Sequence, residues 1–183
     1  MKGTIILAVA FAASTVATEK KVDVTNSTIT WKGHKVTGHH EGTIKLEEGT
    51  LQFNDKNQLT GGSFTIDMTT LTVTDLEGDM NGKLTGHLKS EDFFGIEKHP
   101  KATFVITNVE GKDAKYKVTG EMTIKGITHP NTFDMVVKEN TATADLKVDR
   151  TKYDIKYRSA SFFDGLKDKA IYDEFDLNVN LKF

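Results

Sequence analysis

Apolar and polar residues alternate with a period of two along most of this chain. In the segment KYKVTGEMTIK, residues 115–125, every even-numbered position except Gly120 is apolar, while the odd positions carry lysine, threonine or glutamate. A strand with this pattern buries one face and exposes the other. Similar segments follow one another, separated by turn-forming residues such as Gly61-Gly62 and Glu139-Asn140. The pattern predicts eight or nine antiparallel strands with short connections.

Strands that each carry one apolar face can pack in two ways. They form either a sandwich of two sheets or a barrel that closes on itself and leaves no free edge. The inward face includes the small residues Gly120, Ala142 and Ala144. Small residues either taper a packed core or leave space for a ligand, because an eight-stranded barrel can hold one small molecule. The alternation by itself does not decide between a packed core and an interior with space for a ligand.

Two segments interrupt the strand pattern. Between Asp79 and Lys89 the apolar residues recur at helical spacing, which predicts a short helix with Asp79 as its N-cap. Gly82 and Gly86 weaken this helix by roughly 1 kcal/mol each. We therefore expect a strand or a ligand to approach that side of the helix closely. The second interruption, residues 153–170, is mixed and polar.

Each interruption contains a pair of adjacent phenylalanines, Phe93-Phe94 and Phe162-Phe163. Adjacent residues on a strand point to opposite faces, whereas on a turn after a short helix both rings can lean the same way. We interpret the two pairs as lids over the end of a barrel or as lining of its cavity. The alternative is that they are core residues that close the barrel end against water.

Composition and charge exclude several classes of function. The chain has 183 residues, no cysteine and a formal net charge of −2. The lack of cysteine excludes disulfide scaffolds, thiolate metal sites, cysteine nucleophiles and a lipid anchor on cysteine. The near-neutral charge, with both signs interspersed, shows no electrostatic signature of nucleic-acid binding.

The first residues have the pattern of a secretory signal peptide. A basic Lys2 precedes an apolar run over residues 5–13, and small residues surround Ala17. We predict cleavage after Ala17, so that residues 1–17 are the signal peptide and residues 18–183 form one exported domain. This pattern predicts a periplasmic or otherwise exported protein.

The sequence contains none of the common catalytic motifs. G-x-S-x-G, H-E-x-x-H, G-x-x-x-x-G-K-[ST] and G-x-G-x-x-G are all missing. Three of the six histidines, His34, His39 and His40, gather at a predicted hairpin, where a surface metal site is conceivable. A strong site needs a further ligand that the sequence does not identify. We predict no catalytic residue and no metal site, with an enzyme or metal-binding barrel based on His39 and His40 as the alternative.

Seven short motifs, in order, resemble one known family. Together they cover about residues 22–183, and on them the chain resembles the YceI-like, polyisoprenoid-binding proteins. The motifs are W-x-G-x-K from Trp31, HHEG from His39, GGSFTIDM from Gly61, GHLKSEDFF from Gly86, HPKATF from His99, TGEMTIKGITHP from Thr119 and DEFDLNVNLKF from Asp173.

The resemblance implies an all-β fold, an extended lipocalin-like antiparallel barrel of eight strands with one or two short helices. It implies an exported, non-enzymatic binding protein that carries or sequesters a long apolar lipid in its lumen, such as a polyisoprenoid or the tail of a quinone. Beyond this lipid no cofactor is expected, and a homodimer is left open. A stress-response interaction module with a filled lumen is a further alternative.

The alternation supplies candidate residues for the ligand-binding wall, to which the two phenylalanine pairs are added. Methionines among them adapt to a flexible tail, and any polar head group is expected to stay near the mouth. The candidates are Phe64, Ile66, Met68, Leu84, Leu88, Phe93, Phe94, Phe104, Ile106, Met122, Phe133, Met135, Phe162 and Phe163.

Overall fold

Nine antiparallel strands and one α-helix make up residues 17–183, the part of the chain that the computed structural model describes. The predicted signal peptide, residues 1–17, lies outside this part except for Ala17. The elements are β1 Thr18–Lys21, β2 Thr28–Lys35, β3 Gly38–Phe53, β4 Leu59–Val73, α1 Gly78–Lys89, β5 Lys101–Lys112, β6 Lys115–Ile124, β7 Ile127–Lys138, β8 Thr141–Asp149 and β9 Ile171–Lys182, with 3₁₀-helices at Arg150–Tyr153 and Lys167–Lys169.

Eight of the strands close into a barrel. Neighbouring strands pair in the order β3-β2-β9-β8-β7-β6-β5-β4, and β4 pairs again with β3 over residues 42–53. The short β1 stands outside this ring and pairs with residues 50–53 of β3. Closure confirms the predicted lipocalin-like barrel and excludes the two-sheet sandwich. It also leaves no exposed edge in the ring for another chain to pair with.

The longest strand, β3, changes its buried positions part-way along. Ile44 and Leu46 are buried, Glu47 and Glu48 are both exposed, and burial resumes at Gly49. The pairing register with β4 shifts between Leu46 and Glu48, which marks a β-bulge. A bulge adds one residue to one strand, bends it and increases its twist. The bulge lets this strand curve around the barrel while its apolar side chains continue to point inward.

Antiparallel pairing places the connections alternately at the two ends of the barrel. We call one of them the helix end, because it carries α1 and the 3₁₀-helices, and the opposite one the packed end. The helix end carries the connections over residues 36–37, 74–100, 125–126 and 150–170, and the packed end those over residues 54–58, 113–114 and 139–140.

Side chains of the barrel itself close the packed end. Leu51 is fully buried, and Phe53 is 2% exposed. The ring centroids of Phe53 and Phe183 lie 5.7 Å apart, and the ammonium of Lys20 lies 5.1 Å from each of them. A cation over aromatic faces adds electrostatic attraction to the apolar contact. These contacts shield the packed end from water.

At Gly120 the structure supports a packed core rather than an open space. A Cβ atom built on this residue would lie 2.4 Å from Cζ of Phe104 and 2.5 Å from the carbonyl oxygen of Val105. The Phe104 ring therefore occupies the volume that a side chain at position 120 would fill. Glycine at this position on β6 leaves room for the Phe104 ring of the neighbouring strand.

The helix differs from its prediction in two respects. It begins at Gly78, and its N-cap is Glu77, whose side chain makes no capping hydrogen bond, so the expected cap at Asp79 is wrong. Asp79 lies instead in the first turn, where a negative charge favours the helix dipole. Nothing lies within 4 Å of a Cβ built on Gly82 or Gly86. Both glycines face open space, so the predicted close approach of a strand or ligand is also wrong.

Residues 17–183 contain no helix with the length and apolar character needed to cross a membrane.

Replacement by alanine should have opposite effects on stability at Gly120, which is tightly packed, and at Gly82, which faces open space. We expect Gly120→Ala to lower the free energy of unfolding by about 1–3 kcal/mol, because the added methyl group displaces Phe104 and meets a backbone carbonyl. Gly82→Ala should raise it by about 0.5–1 kcal/mol, since the helix gains propensity and nothing clashes. Urea unfolding measures both, and equal effects of the two substitutions would contradict the packing described here.

Candidate functional site

A cavity of about 230 Å³ lies inside the barrel, toward the helix end. One buried water molecule needs roughly 10–15 Å³ of such space, so the cavity is far larger than a packing defect. Every strand of the ring and α1 contribute to its wall. Leu51 and Phe53 of the packed end do not border it. The barrel is therefore hollow in one part and packed in the other.

Most of the predicted lining residues border this cavity. They come from four strands, from α1 and from the turn that follows α1, and their side chains are apolar. Whether they contact a ligand remains a prediction. The eleven residues are Phe64, Ile66, Met68, Leu84, Leu88, Phe93, Phe94, Phe104, Met122, Phe133 and Met135.

The first phenylalanine pair reaches the cavity because of the turn that ends α1. The backbone N–H of Phe93 donates to the carbonyl of Ser90, and that of Phe94 donates to the carbonyl of Leu88. This folded-back turn brings both rings to the cavity wall, with their centroids 5.8 Å apart. The ring of Phe94 also packs edge-on against Phe175 at 6.3 Å. Both rings thus lean the same way, as the sequence predicted.

Three candidates lie elsewhere. Ile106 is buried in the core without bordering the cavity, and Phe162 and Phe163 are half-exposed. The carbonyl of Ser159 accepts the backbone N–H of both phenylalanines and so fixes this turn in the connection between β8 and β9. There the Phe162 ring lies 5.1 Å below the ammonium of Lys156. Neither ring borders the cavity, so the interpretation of this second pair as cavity lining is wrong. Its interpretation as a lid over the barrel end stays a prediction.

Two further findings concern inward-facing residues outside the candidate set. Of the small inward residues, Ala144 borders the cavity, whereas Ala142 is fully buried outside it. The candidate set also missed the last strand, β9, although that strand has the same alternation as the others. Its apolar residues Phe175, Leu177, Val179 and Leu181 all border the cavity.

Polar side chains gather where the cavity approaches the helix end. Nδ1 of His40 lies 2.8 Å from Oδ2 of Asp75, and its Nε2 lies 3.2 Å from the ammonium of Lys35. A carboxylate only accepts hydrogen bonds and an ammonium only donates them. Nδ1 of His40 therefore carries a proton and donates to Asp75, while Nε2 accepts from Lys35. Nearby, Nε2 of His34 lies 2.7 Å from Oδ2 of Asp176.

These contacts change the acidity of the two aspartates. Partial burial alone would raise the pKa of Asp75, but hydrogen bonds from His40 and from the backbone N–H of Glu41 outweigh it, so the pKa lies below its ordinary value. For Asp176, the hydrogen bond from His34 is the main cause of a lowered pKa, and Lys147 adds to it. Both carboxylates are thus held in the charged form beside His34 and His40, the two histidines that border the cavity at this end.

The histidine hairpin lacks the arrangement of a metal site. His34 and His40 each pair with a different aspartate, and the ring of His39 is 51% exposed, 3.9 Å from a carboxylate oxygen of Glu41. Within residues 17–183, no group of three or more histidine, aspartate or glutamate side chains is placed to hold a metal ion. The geometry gives the metal-binding alternative no support.

Comparison with known families bears on this barrel and its cavity. A family model described as the YceI-like domain matches residues 21–183, which include all eight strands of the ring. The chain belongs to the YceI-like domain family. The resemblance seen in the seven sequence motifs is thereby confirmed.

Curated relatives share part of the chain. The UPF0312 protein plu2095 of Photorhabdus laumondii is 36% identical over 90 residues, which cover 49% of this chain and 44% of that protein. Protein YceI of Escherichia coli O157:H7 is 34% identical over 94 residues, 51% of this chain and 46% of that protein. The chain thus aligns with less than half the length of these YceI-like relatives.

Solved structures with the same fold are similar over most of the chain. BcnA of Burkholderia cenocepacia has a TM-score of 0.69 and 23% identity, covering 87% of this chain and 98% of that chain. A polyisoprenoid binding domain from Saccharophagus degradans, implicated in plant cell wall breakdown, has a TM-score of 0.59 and 12% identity, covering 92% and 97%. At these identities the similarity shows the fold of the YceI-like barrel.

The lowered pKa of Asp75 predicts how acid affects stability. Its charged form stabilises the fold fully above the ordinary aspartate value of 3.8, and this contribution is lost as the pH falls through the lower folded-state pKa. We expect Asp75→Asn to be less stable than the wild type by about 1 kcal/mol near pH 7. Between about pH 7 and about pH 2.5 the variant should lose less stability than the wild type.

Urea unfolding across this pH range measures the difference. Asp55→Asn is the matched control, because Asp55 is an exposed turn residue and its replacement removes the same charge. Parallel pH profiles for Asp75→Asn and the wild type would contradict a stabilising role of the Asp75 carboxylate.

Proposed function

We propose that this protein is a non-enzymatic, exported binding protein that carries or sequesters a long apolar lipid of the isoprenoid type in its barrel. The observation that carries the proposal is the cavity inside the closed ring, whose wall is built mainly from apolar side chains. A chain of linked methylene and methyl groups suits this space, because it needs few hydrogen-bonding partners and gains free energy from leaving water.

Apolar contact alone supplies enough free energy for such a ligand. Burial of about 20 methylene equivalents at about 0.8 kcal/mol each contributes on the order of 16 kcal/mol. Association and ordering cost roughly 4–15 kcal/mol. The balance is favourable without any conspicuous polar motif.

The composition of the wall suits a flexible tail. Met68, Met122 and Met135 lie on three different strands and all border the cavity. Methionine is unbranched and polarizable, so its side chain follows an irregular apolar surface at small cost. Rigid rings such as those of Phe64 and Phe104, stacked with centroids 6.5 Å apart, also line the cavity.

Family membership and one structural neighbour support the same ligand class. The solved domain from Saccharophagus degradans is described as polyisoprenoid binding, and it shares the barrel fold with this chain. We extend that ligand class to this protein on the basis of the shared fold and the apolar cavity. The signal-peptide pattern over residues 1–17 supports export, and we propose a periplasmic location, where a carrier can shield a lipid from water.

Native mass spectrometry of the purified protein, followed by extraction into organic solvent, tests this function. We expect complexes that exceed the protein mass by that of one apolar molecule, and recovery of this molecule in the extract. Added polyprenol should raise the melting temperature, because a ligand that binds only the folded state stabilises it. Lipid-free protein whose melting temperature does not respond to polyprenols would overturn the proposal.

A larger side chain at Ala144 should block the cavity. Ala144 borders the cavity from β8, so we expect Ala144→Phe to lower polyprenol affinity at least about tenfold, since the ring occupies space that the lipid needs. The neighbouring Thr143 is exposed on the outer face of the same strand. Thr143→Phe is therefore the matched control and should bind like the wild type. Titration calorimetry measures both, and unchanged binding by Ala144→Phe would place the lipid outside the lumen.

A further inference from the structure

Exposed large apolar side chains gather at one end of the barrel. Within residues 17–183, six such side chains are 47% to 64% exposed, and five of them lie at the helix end. The sixth, Val105, lies on the outer wall in β5, and none of the six lies at the packed end. Apolar side chains gathered on one part of a surface indicate an interaction site, whereas scattered ones do not. The five are Val36, Met80, Phe162, Phe163 and Tyr172.

The turn that carries Phe162 and Phe163 presents both rings to solvent. They are 50% and 51% exposed, although phenylalanine is among the residues most often buried. The hydroxyl of Ser161 donates to the carboxylate of Asp173 at 2.5 Å, which ties the turn to the beginning of β9. The folded turn itself therefore holds the two rings in water, and a surface that covered them would gain free energy.

Basic side chains lie on both sides of the two phenylalanines in the sequence. Residues 156–169, which we call the docking segment, contain four basic and two acidic side chains, a net charge of +2. The whole chain has a net charge of −2. Arg158, Lys167 and Lys169 of this segment are exposed. The docking segment therefore presents positive charge together with apolar rings.

Lys156 combines charge and ring directly. Its ammonium lies 5.1 Å from the ring centroid of Phe162 and 2.8 Å from a carboxylate oxygen of Asp154. A lysine can lay its apolar stem along an apolar surface while its ammonium stays in water. This arrangement suits the boundary of a bilayer, where apolar side chains enter the acyl region and cations stay among the head groups.

A bilayer that contains anionic lipids matches the docking segment better than a second copy of the chain does. Aromatic side chains favour the interface of a bilayer, and lysine and arginine are attracted to anionic head groups. A symmetric dimer through this segment would instead place two positively charged segments against each other, which costs free energy. The cavity also lies toward the helix end, so docking by this segment turns the cavity toward the membrane.

We propose that the docking segment binds the protein to membranes that contain anionic lipids. Phe162 and Phe163 insert among the lipid head groups, and Arg158, Lys167 and Lys169 lie against the lipid phosphates. The cargo can then pass between bilayer and barrel without crossing bulk water. This exchange step rests on the proposed lipid-binding function, whereas docking itself needs no cargo.

Co-sedimentation with vesicles tests the docking. We expect at least about tenfold tighter binding to vesicles of phosphatidylglycerol and phosphatidylethanolamine than to vesicles of phosphatidylcholine alone, because only the first carry negative charge. High salt should reduce this preference, since it screens exposed charges. Equal binding to both kinds of vesicle would overturn the proposed role of the basic side chains.

A double variant, Phe162→Ser with Phe163→Ser, removes the apolar anchor. We expect it to bind the anionic vesicles at least about tenfold more weakly, because two large apolar side chains no longer leave water. Val105→Ser is the control, since Val105 is similarly exposed but lies on the outer wall. It should bind like the wild type. All variants share the same N-terminal residues, so their differences report on the substituted positions.

Charge reversal gives a second, independent variant. Lys167→Glu with Lys169→Glu should abolish the preference for anionic vesicles, because the docking segment then carries net negative charge. Lys56→Glu with Lys138→Glu is the matched control, since both lysines are exposed near the packed end and the net charge changes equally. Unchanged vesicle affinity in both docking-segment variants would overturn the inference.

Two further measurements separate the inference from its alternatives. A dimer that the phenylalanine double variant dissociates, without vesicle binding by the wild type, would assign the surface to a second copy and overturn membrane docking. Polyprenol added in detergent should raise the melting temperature of the phenylalanine double variant as much as that of the wild type, while its transfer from vesicles should slow only in the variant. If polyprenol stabilises neither protein, the lipid-binding function fails, and docking is judged by sedimentation alone.

Discussion

The backbone hydrogen bonds between β3 and β4 are the constraint on which the rest of this structure depends. They join the two ends of an eight-stranded sheet and convert it into a ring without a free edge. A closed ring of eight strands encloses an interior wide enough for side chains or for one ligand. The bulge between Leu46 and Glu48 allows β3 to curve far enough to pair with β2 on one edge and β4 on the other. The apolar faces of all eight strands consequently point at one another and away from water.

The interior of the ring is filled by side chains at the packed end and holds the cavity at the helix end. At the packed end, Leu51 and Phe53 fill the space, and Lys20 covers the rings of Phe53 and Phe183. At the helix end the interior opens into the cavity, bordered by the turn that carries Phe93 and Phe94. Side chains around a cavity lack contact partners, so they stabilise the fold less than tightly packed side chains do. The tight packing at the packed end offsets this loss. A ligand in the cavity would restore those contacts, which is the physical basis of the proposed function.

The strands and their buried faces could be predicted from the sequence, whereas the shape of the cavity could not. Burial of one strand face is a local property, visible as alternation in β6 and β9. Whether an inward position is filled depends on contacts across neighbouring strands. Gly120 is small, yet the Phe104 ring fills its space, and Ala144, also small, borders the cavity. No spacing along the chain distinguishes these two positions.

The phenylalanine pairs show the same limit of prediction from sequence alone. Phe93-Phe94 and Phe162-Phe163 have similar local sequences, but different turns direct one pair to the cavity and the other outward. The direction is set by which carbonyls accept their backbone N–H groups, and those partners depend on the surrounding fold.

Crystals of the protein grown with an isoprenoid chain that carries a terminal bromine test the central claim, a lumen that holds an apolar chain, most directly. The account predicts an anomalous bromine peak inside the ring, in contact with the wall that includes Phe64 and Met135, and continuous density for the chain toward the helix end. A bromine peak on the outer surface, or an interior filled by the protein's own side chains, would contradict it.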